Sequence, residues 1–252
     1  MEENSGAPTL HRRLSFTMVV LYGLGTTIGA GIYVLIGKVV GSAGLFAPVS
    51  FIVATLLAGF SVFSFAELSS RFPLSAGEAI FVSKGLRSGH LAIAVGFCVV
   101  FAGIVSSAAI SRGFVGYLQE FVNPTGWIVV ACLVITLGAI AFWGIGQSIL
   151  IASAATIIEI GGLLLVIVAG AGSLESLPTM LPSLAPPFEL GAWSGIIAGA
   201  VLAFYAFLGF EDMVNVAEEV RDVRRTLPRA LIATLGITAI FYILLTLVAV
   251  LS

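Results

Sequence analysis

The sequence predicts an all-α integral membrane protein, and three observations carry that expectation. Charged residues are 10% of the 252, against about 25% in a soluble domain, while apolar residues reach 59% before the 29 glycines are counted. The charges are also clustered, leaving 14–37, 39–66, 88–111, 121–158, 160–174, 190–210 and 230–252 free of Asp, Glu, Lys and Arg. A helix of about 20 apolar residues crosses a bilayer, so these gaps are long enough to be spans. This composition excludes an ordinary soluble enzyme, and a net charge of −2 without a dense basic block excludes nucleic acid as a partner.

Residues 1–13 read as a cytoplasmic amino-terminal tail and 14–252 as a single transmembrane domain. Arg12 and Arg13 precede the first apolar stretch, but Leu14 to Gly37 is 24 residues, too long for the roughly 7–15-residue core of a signal peptide. Helices are expected at about 16–37, 45–66, 91–118, 127–143, 148–171, 192–217 and 231–251, seven spans in all. Asn123-Pro124-Thr125-Gly126 opens the fourth, and the Gly144 to Ser148 stretch supplies the turn before the fifth. Between the second and third spans, 75–88 mixes Ala79, Ile80, Phe81, Val82 and Leu86 with Glu78, Lys84 and Arg87, the pattern of a short interfacial helix. Between the fifth and sixth, 173–190 holds Pro178, Pro182, Pro186 and Pro187, which should prevent a continuous helix.

Lys and Arg accumulate in cytoplasmic loops. With the amino terminus inside, Arg12, Arg13, Arg71, Lys84, Arg87, Arg221, Arg224, Arg225 and Arg229 are cytoplasmic and only Lys38 and Arg112 face outward. That orientation opposes a G-protein-coupled receptor. A retinal protein needs a lysine in its last helix, and the last lysine here is Lys84. Cys98 and Cys132 lie in apolar runs at different expected depths, so no disulfide is expected. His11 and His90 are far apart, and no residue set has metal-ligand spacing, so neither metal nor cofactor is assigned.

The first span contains Gly23, Gly25, Gly29 and Gly31, each costing about 1 kcal/mol relative to alanine in a helix. Close packing through the Gly25–Gly29 pair is one reading. The other is a broken helix, which membrane proteins tolerate only where irregular backbone is buried or lines a cavity. Freed N–H groups at the start of the second half-helix would then favour an anion such as a carboxylate, and transporters built from repeats place a matching break downstream. The sixth span offers one: Phe204, Phe207 and Phe210 crowd around Gly209, followed at once by Glu211 and Asp212, carboxylates expensive to place within a membrane.

The stretch Gly25-Thr-Thr-Ile-Gly-Ala-Gly-Ile-Tyr-Val-Leu-Ile-Gly37 resembles the signature of the amino acid-polyamine-organocation superfamily, especially its cationic-amino-acid-transporter-like branch. Phe204 to Asp212 with Ala217-Glu-Glu-Val-Arg-Asp-Val-Arg-Arg-Thr-Leu-Pro-Arg229 is similarly matched, as is Ala66-Glu67-Leu68 before Arg71-Phe72-Pro73. The resemblance runs over nearly the whole chain. It implies a LeuT-like fold, here the first five-helix repeat plus the first two helices of an inverted second repeat. It also implies a secondary active transporter of amino acids, a symporter or antiporter in a cell membrane, working by alternating access. By motif position, Thr27, Ile28, Gly29, Ala30 and Gly31 would surround the substrate carboxylate. Ala206, Phe207 and Gly209 would offer carbonyls to its amino group, and Phe204, Phe207 or Phe210 would gate the cavity. Ala30 departs from the serine or threonine many relatives carry, which removes a hydroxyl contact. Five further helices are expected of a relative, so the chain is expected to be carboxy-terminally incomplete.

Glu159, near the middle of the fifth span, is a candidate carrier of a coupling proton, or else a hydrogen-bonded structural acid. Arg71, Glu218 and Glu219 are candidates for an inner gate, with solvated loop charges as the plainer reading. Ser106 and Ser107 face either the cavity or a neighbouring helix. Two other function classes stand beside the transporter: a sensor that binds an amino acid without moving it, or a non-transporting truncated product, and a membrane enzyme. For the enzyme no nucleophile with its base is visible.

Overall fold

The computed structural model describes residues 12–75 and 77–252; the side chains of Ala30 and Ile145 and the burial of Gly146 also fall outside that description, as does the expected tail up to His11. The described residues are almost entirely helical. Leu14 makes an isolated parallel bridge with Val220, its N–H donating to the Glu219 carbonyl at 3.0 Å and its own carbonyl accepting from Arg221 N–H at 3.0 Å. Helix α1, Phe16–Ala43, then begins on Ser15, whose hydroxyl accepts from Met18 N–H as an N-cap should. It is not one straight rod: Gly29 has non-helical angles (φ −33°, ψ −153°). A 3₁₀ turn at Gly44–Phe46, entered with Gly44 at φ +55°, leads to α2, Ala47–Arg71, with Pro48 in the first turn where its missing N–H costs nothing.

Helix α3 is Gly77–Leu86, short and lying against α4, Gly89–Gln119, which starts on a Ser88 cap. Helix α5 is Gly126–Phe142. A turn through Gly144 at φ +118° connects it to α6, Ile145–Ala169. The proline-bearing stretch differs from expectation: a 3₁₀ segment at Ala171–Ser176 runs into α7, Leu177–Leu184. Pro178 occupies its first turn, where no hydrogen bond is lost, and Pro182 sacrifices only one in a helix that stops before Pro186 and Pro187.

The expected sixth span is interrupted. Helix α8, Leu190–Phe207, stops within that span, and after a turn the backbone resumes as α9, Asp212–Asn215, and a 3₁₀ turn at Ala217–Glu219. Helix α10, Val223–Leu251, starts well before the expected 231, carrying Arg224, Arg225 and Arg229 on its first turns before its apolar part.

Among the described residues five helical stretches are long and apolar enough to cross a membrane: Gly31–Arg71, which folds over at Gly44–Phe46, Gly89–Gln119, Gln147–Ala169, Leu190–Asn215 and Val223–Leu251. Phe16–Gly29 and Gly126–Phe142 are shorter apolar helices. The core forms where α1, α2, α8 and α10 pack on one another, with α6 against α1. Ile28, Ile32, Phe51, Phe207, Leu231 and Tyr242 are fully buried there. By contrast α4 and α5 turn Phe97, Phe101, Ile135 and Phe142 outward. Such faces are costly in water and suited to lipid or further apolar helices.

The approach of α8 to the end of α1 and the start of α2 uses glycine. A Cβ on Gly195 of α8 would lie 2.7 Å from the Ser42 carbonyl oxygen of α1, and one on Gly199 2.7 Å from the Ser50 hydroxyl of α2. Ser50 itself donates to the Ile196 carbonyl at 2.9 Å, so small residues here let a hydroxyl cross between helices. Gly195→Ala should therefore lower stability by about 1–3 kcal/mol through forced backbone separation, read as a lower Tm of the detergent-solubilised protein. Gly236→Ala, where no atom lies within 4 Å of the added carbon, should leave Tm unchanged or raise it.

Candidate functional site

The interruptions of α1 and α8 lie against each other. Gly31, just past the α1 break, comes so close to α8 that an added Cβ would sit 3.4 Å from the Ala206 Cα. From the other side, Gly209 has φ +126°, a region L side chains rarely enter, and its Cβ would run into the Thr26 carbonyl. The Thr26 hydroxyl reaches the Gly23 carbonyl at 3.1 Å and the Gly209 carbonyl at 2.9 Å, tying the α1 break to the α8 turn. Gly209 N–H donates to Glu211 Oε2 at 2.7 Å, which closes the turn. This local design explains the glycines: Gly209 permits the contact, and Gly29 supplies the broken angles.

The arrangement brings together three helix ends of two polarities. The second half of α1 begins at the break, so its first N–H groups have no intrahelical acceptor, while the last carbonyls of the first half and of α8 lack intrahelical donors. Such a place can bind a carboxylate at the N–H end and an ammonium at the carbonyls. Thr27 and Ile28 are buried, Gly29 and Gly31 half-buried, and the side chain of Ala30 lies outside the described residues. Ala206 and Phe207 are buried and Gly209 half-buried.

The three phenylalanines of this region part company. Phe207 packs its ring 5.0 Å from that of Tyr242. Phe210 points the other way and stands edge-on to Phe65 at 5.8 Å, which in turn meets Phe81 of α3 at 6.0 Å. Phe204 is half-buried at the rim of the core.

Tyr242 of α10 is the residue that reading the sequence missed. Its hydroxyl reaches the Thr27 carbonyl at 2.8 Å and the Ala206 carbonyl at 3.0 Å, so one side chain touches both interruptions. A signal was present: Thr234, Thr238, Tyr242 and Thr246 recur every fourth residue in an otherwise apolar span, and all four are fully buried. A polar stripe at helical spacing in a membrane span faces protein, not lipid.

The remaining candidates lie elsewhere. Glu159 is half-buried on α6, where its backbone carbonyl accepts from the Tyr33 hydroxyl at 3.0 Å. Arg71 forms its ion pair with Glu67 one turn back on α2, both side chains well exposed. The structure therefore does not bring Arg71 to Glu218 or Glu219 within ion-pair reach. Instead Glu218 Oε1 accepts from Ser75 N–H at 3.2 Å, tying the segment before α3 to the turn after α9. Ser106 and Ser107 are on an exposed face of α4. Cys98 and Cys132 are free thiols, and among the described residues no group of three His, Cys, Asp or Glu is placed to hold a metal.

Against this geometry the comparisons are direct. The amino acid permease family model matches residues 14–252, and the chain belongs to that family. It is 32% identical over 98% of its length to the vacuolar cationic amino acid transporter 4 of Arabidopsis thaliana, covering 44% of that protein. It is 28% identical to the branched-chain amino acid permease BcaP of Bacillus subtilis, over 95% of this chain and 54% of the relative. It is 27% identical to the methylthioribose transporter of Bacillus subtilis, over 98% and 57% respectively. The chain thus spans about half the length of the curated relatives it matches, and it is a multi-pass, all-α membrane permease chain.

Helix α3 carries a further consequence. Burial pushes the Glu78 carboxyl above its ordinary value; its own backbone N–H partly offsets this, and the negative charges of Glu211 and Asp212 add to the rise. A raised acid pKa means the folded state holds the proton more tightly than the unfolded chain, so stability falls as pH climbs above about 4.5 through the raised value. Glu78→Gln should flatten that decline and raise Tm at pH 7 relative to the native protein, as followed by thermal melts in detergent from pH 4 to 8.

Proposed function

We propose that this chain forms the substrate-holding part of a secondary active amino acid transporter that works by alternating access. The observation that carries the reading is the contact of two broken helices at Gly209 and Thr26, with helix ends of both polarities opening on one place. An amino acid is a zwitterion, and the two polarities match its two charges. The carboxylate is held by backbone along Thr27, Ile28, Gly29, Ala30 and Gly31. The ammonium is held by carbonyls of Ala206, Phe207 and Gly209, with Phe204, Phe207 and Phe210 as gating side chains. Names of the relatives support the cargo class: a cationic amino acid transporter and a branched-chain amino acid permease.

The 14–252 stretch acts as one transmembrane unit in the cell membrane, with the amino terminus cytoplasmic; the distribution of Lys and Arg supports that orientation. Glu159 carries the coupling proton, supported by its position within an apolar span. Glu218 and Glu219 work at the cytoplasmic gate, where Glu218 and the Leu14–Val220 bridge already tie separate segments together. Arg71 joins them only after leaving Glu67.

The test is uptake of radiolabelled amino acids into proteoliposomes by the protein as its gene encodes it. Gly209→Ala forces a strained φ worth roughly 1–3 kcal/mol and drives a carbon into α1, so uptake should fall at least about tenfold. Saturable binding without accumulation against a gradient would instead make the protein a sensor. Glu159→Gln should abolish the dependence of uptake on a pH gradient while leaving substrate binding in place; an unchanged dependence removes Glu159 from coupling.

A further inference from the structure

Tyr242 is fully buried, and its ring is fixed between Phe207 at 5.0 Å and Phe51 at 5.7 Å. Its hydroxyl lies within hydrogen-bond reach of two groups, the carbonyls of Thr27 and Ala206. Both are acceptors, and a phenol has one proton to donate. At any instant one carbonyl is served fully and the other poorly. Neither has a ready substitute: Ala206 is in the last turn of α8, where carbonyls lack intrahelical donors, and Thr27 stands two residues before the α1 break. Beside them the buried Thr27 hydroxyl also has no hydrogen-bond partner among the described residues, so its proton serves neither carbonyl. At the junction of α1, α8 and α10 these two carbonyls therefore share one phenolic proton.

We infer that Tyr242 is a positioning residue whose single phenolic proton is shared between the α1 and α8 interruptions until a substrate ammonium arrives and takes the Ala206 carbonyl. The inference rests on the reading of the site proposed above. An ammonium brings three charged donors, and charge-assisted hydrogen bonds are shorter and stronger than the neutral bond of a phenol. It displaces the phenol from Ala206. The proton then serves the Thr27 carbonyl alone, so α10 grips α1 only when the amine is seated. No proton is gained or lost; the O–H rotates from one acceptor to the other. The cargo class this favours is a ligand with a primary ammonium beside its carboxylate, over the same acid without the amine.

Tyr242→Phe removes both the competitor at Ala206 and the grip on Thr27. Binding and transport should then separate. In the protein as its gene encodes it, Kd for labelled L-leucine or L-arginine should stay the same or tighten, while turnover per folded molecule falls about tenfold, the size expected for one lost hydrogen bond. Binding of 4-methylpentanoate, the leucine analogue without its amine, should not change. Folded protein is counted by size-exclusion peak area, so that a loss of fold is not read as a loss of turnover. Wild-type turnover in Tyr242→Phe, or equal weakening of L-leucine and 4-methylpentanoate, overturns the inference. Gly209→Ala separates the two levels. If it leaves amino acid binding intact, or if the native protein binds neither probe, the site reading fails and the inference with it. If it abolishes binding while Tyr242→Phe behaves as native, only the inference fails.

Discussion

A helix broken inside an apolar medium leaves backbone N–H and C=O groups that neither water nor lipid can satisfy, and each such group costs several kcal/mol. This chain has two such breaks, at Gly29 and after Phe207, and folds so that each meets the other. Thr26 donates across to Gly209, Glu211 accepts from the Gly209 amide, and Tyr242 reaches a carbonyl on each side. Much of the remaining core follows from that meeting. Helix α10 must lie along α1 and α8 to bring Tyr242 to the breaks, and α2 packs on α10 and α8 to enclose the far side with Phe51 and Ser50.

The same constraint explains why the helices differ in burial. Those that share in the breaks are packed by small residues: Gly31 against Ala206, Gly195 against Ser42, Gly199 against Ser50. Those that do not, α4 and α5, keep continuous backbone hydrogen bonding and turn bulky apolar side chains outward. Unbroken helices need no polar neighbours to satisfy their backbone. The irregular backbone of the chain is thereby concentrated at one place, where the breaks of α1 and α8 meet.

The all-α membrane class was legible because charge-free gaps and apolar composition are properties of the chain alone. The family was legible through two long motifs, Gly25 to Gly37 and Phe204 to Arg229. The clustered glycines of the first span already stood out as an unexplained cost to a helix. Other features were hidden. A break in 192–217 was expected at the Gly209 motif, but the bounds of the turn between α8 and α9 were not, because hydropathy does not register backbone angles. The prolines of 173–190 gave no hint of α7, since Pro178 at a first turn and Pro182 near the end are both tolerated. Arg71 was grouped with Glu218 and Glu219 by charge, whereas its nearest acid, Glu67, is four residues away on its own helix.

What the sequence determined by itself is the solvent of this protein, the rough register of its spans and its family, since all three reside in composition, spacing and motif. Which polar groups meet was decided by the tertiary structure alone. Thr26 and Gly209 are 183 residues apart, and Tyr242 lies 215 from Thr27. Partners so distant along the chain have no common local pattern. They are chosen by the need of buried carbonyls for donors, a need that exists only once the helices have packed.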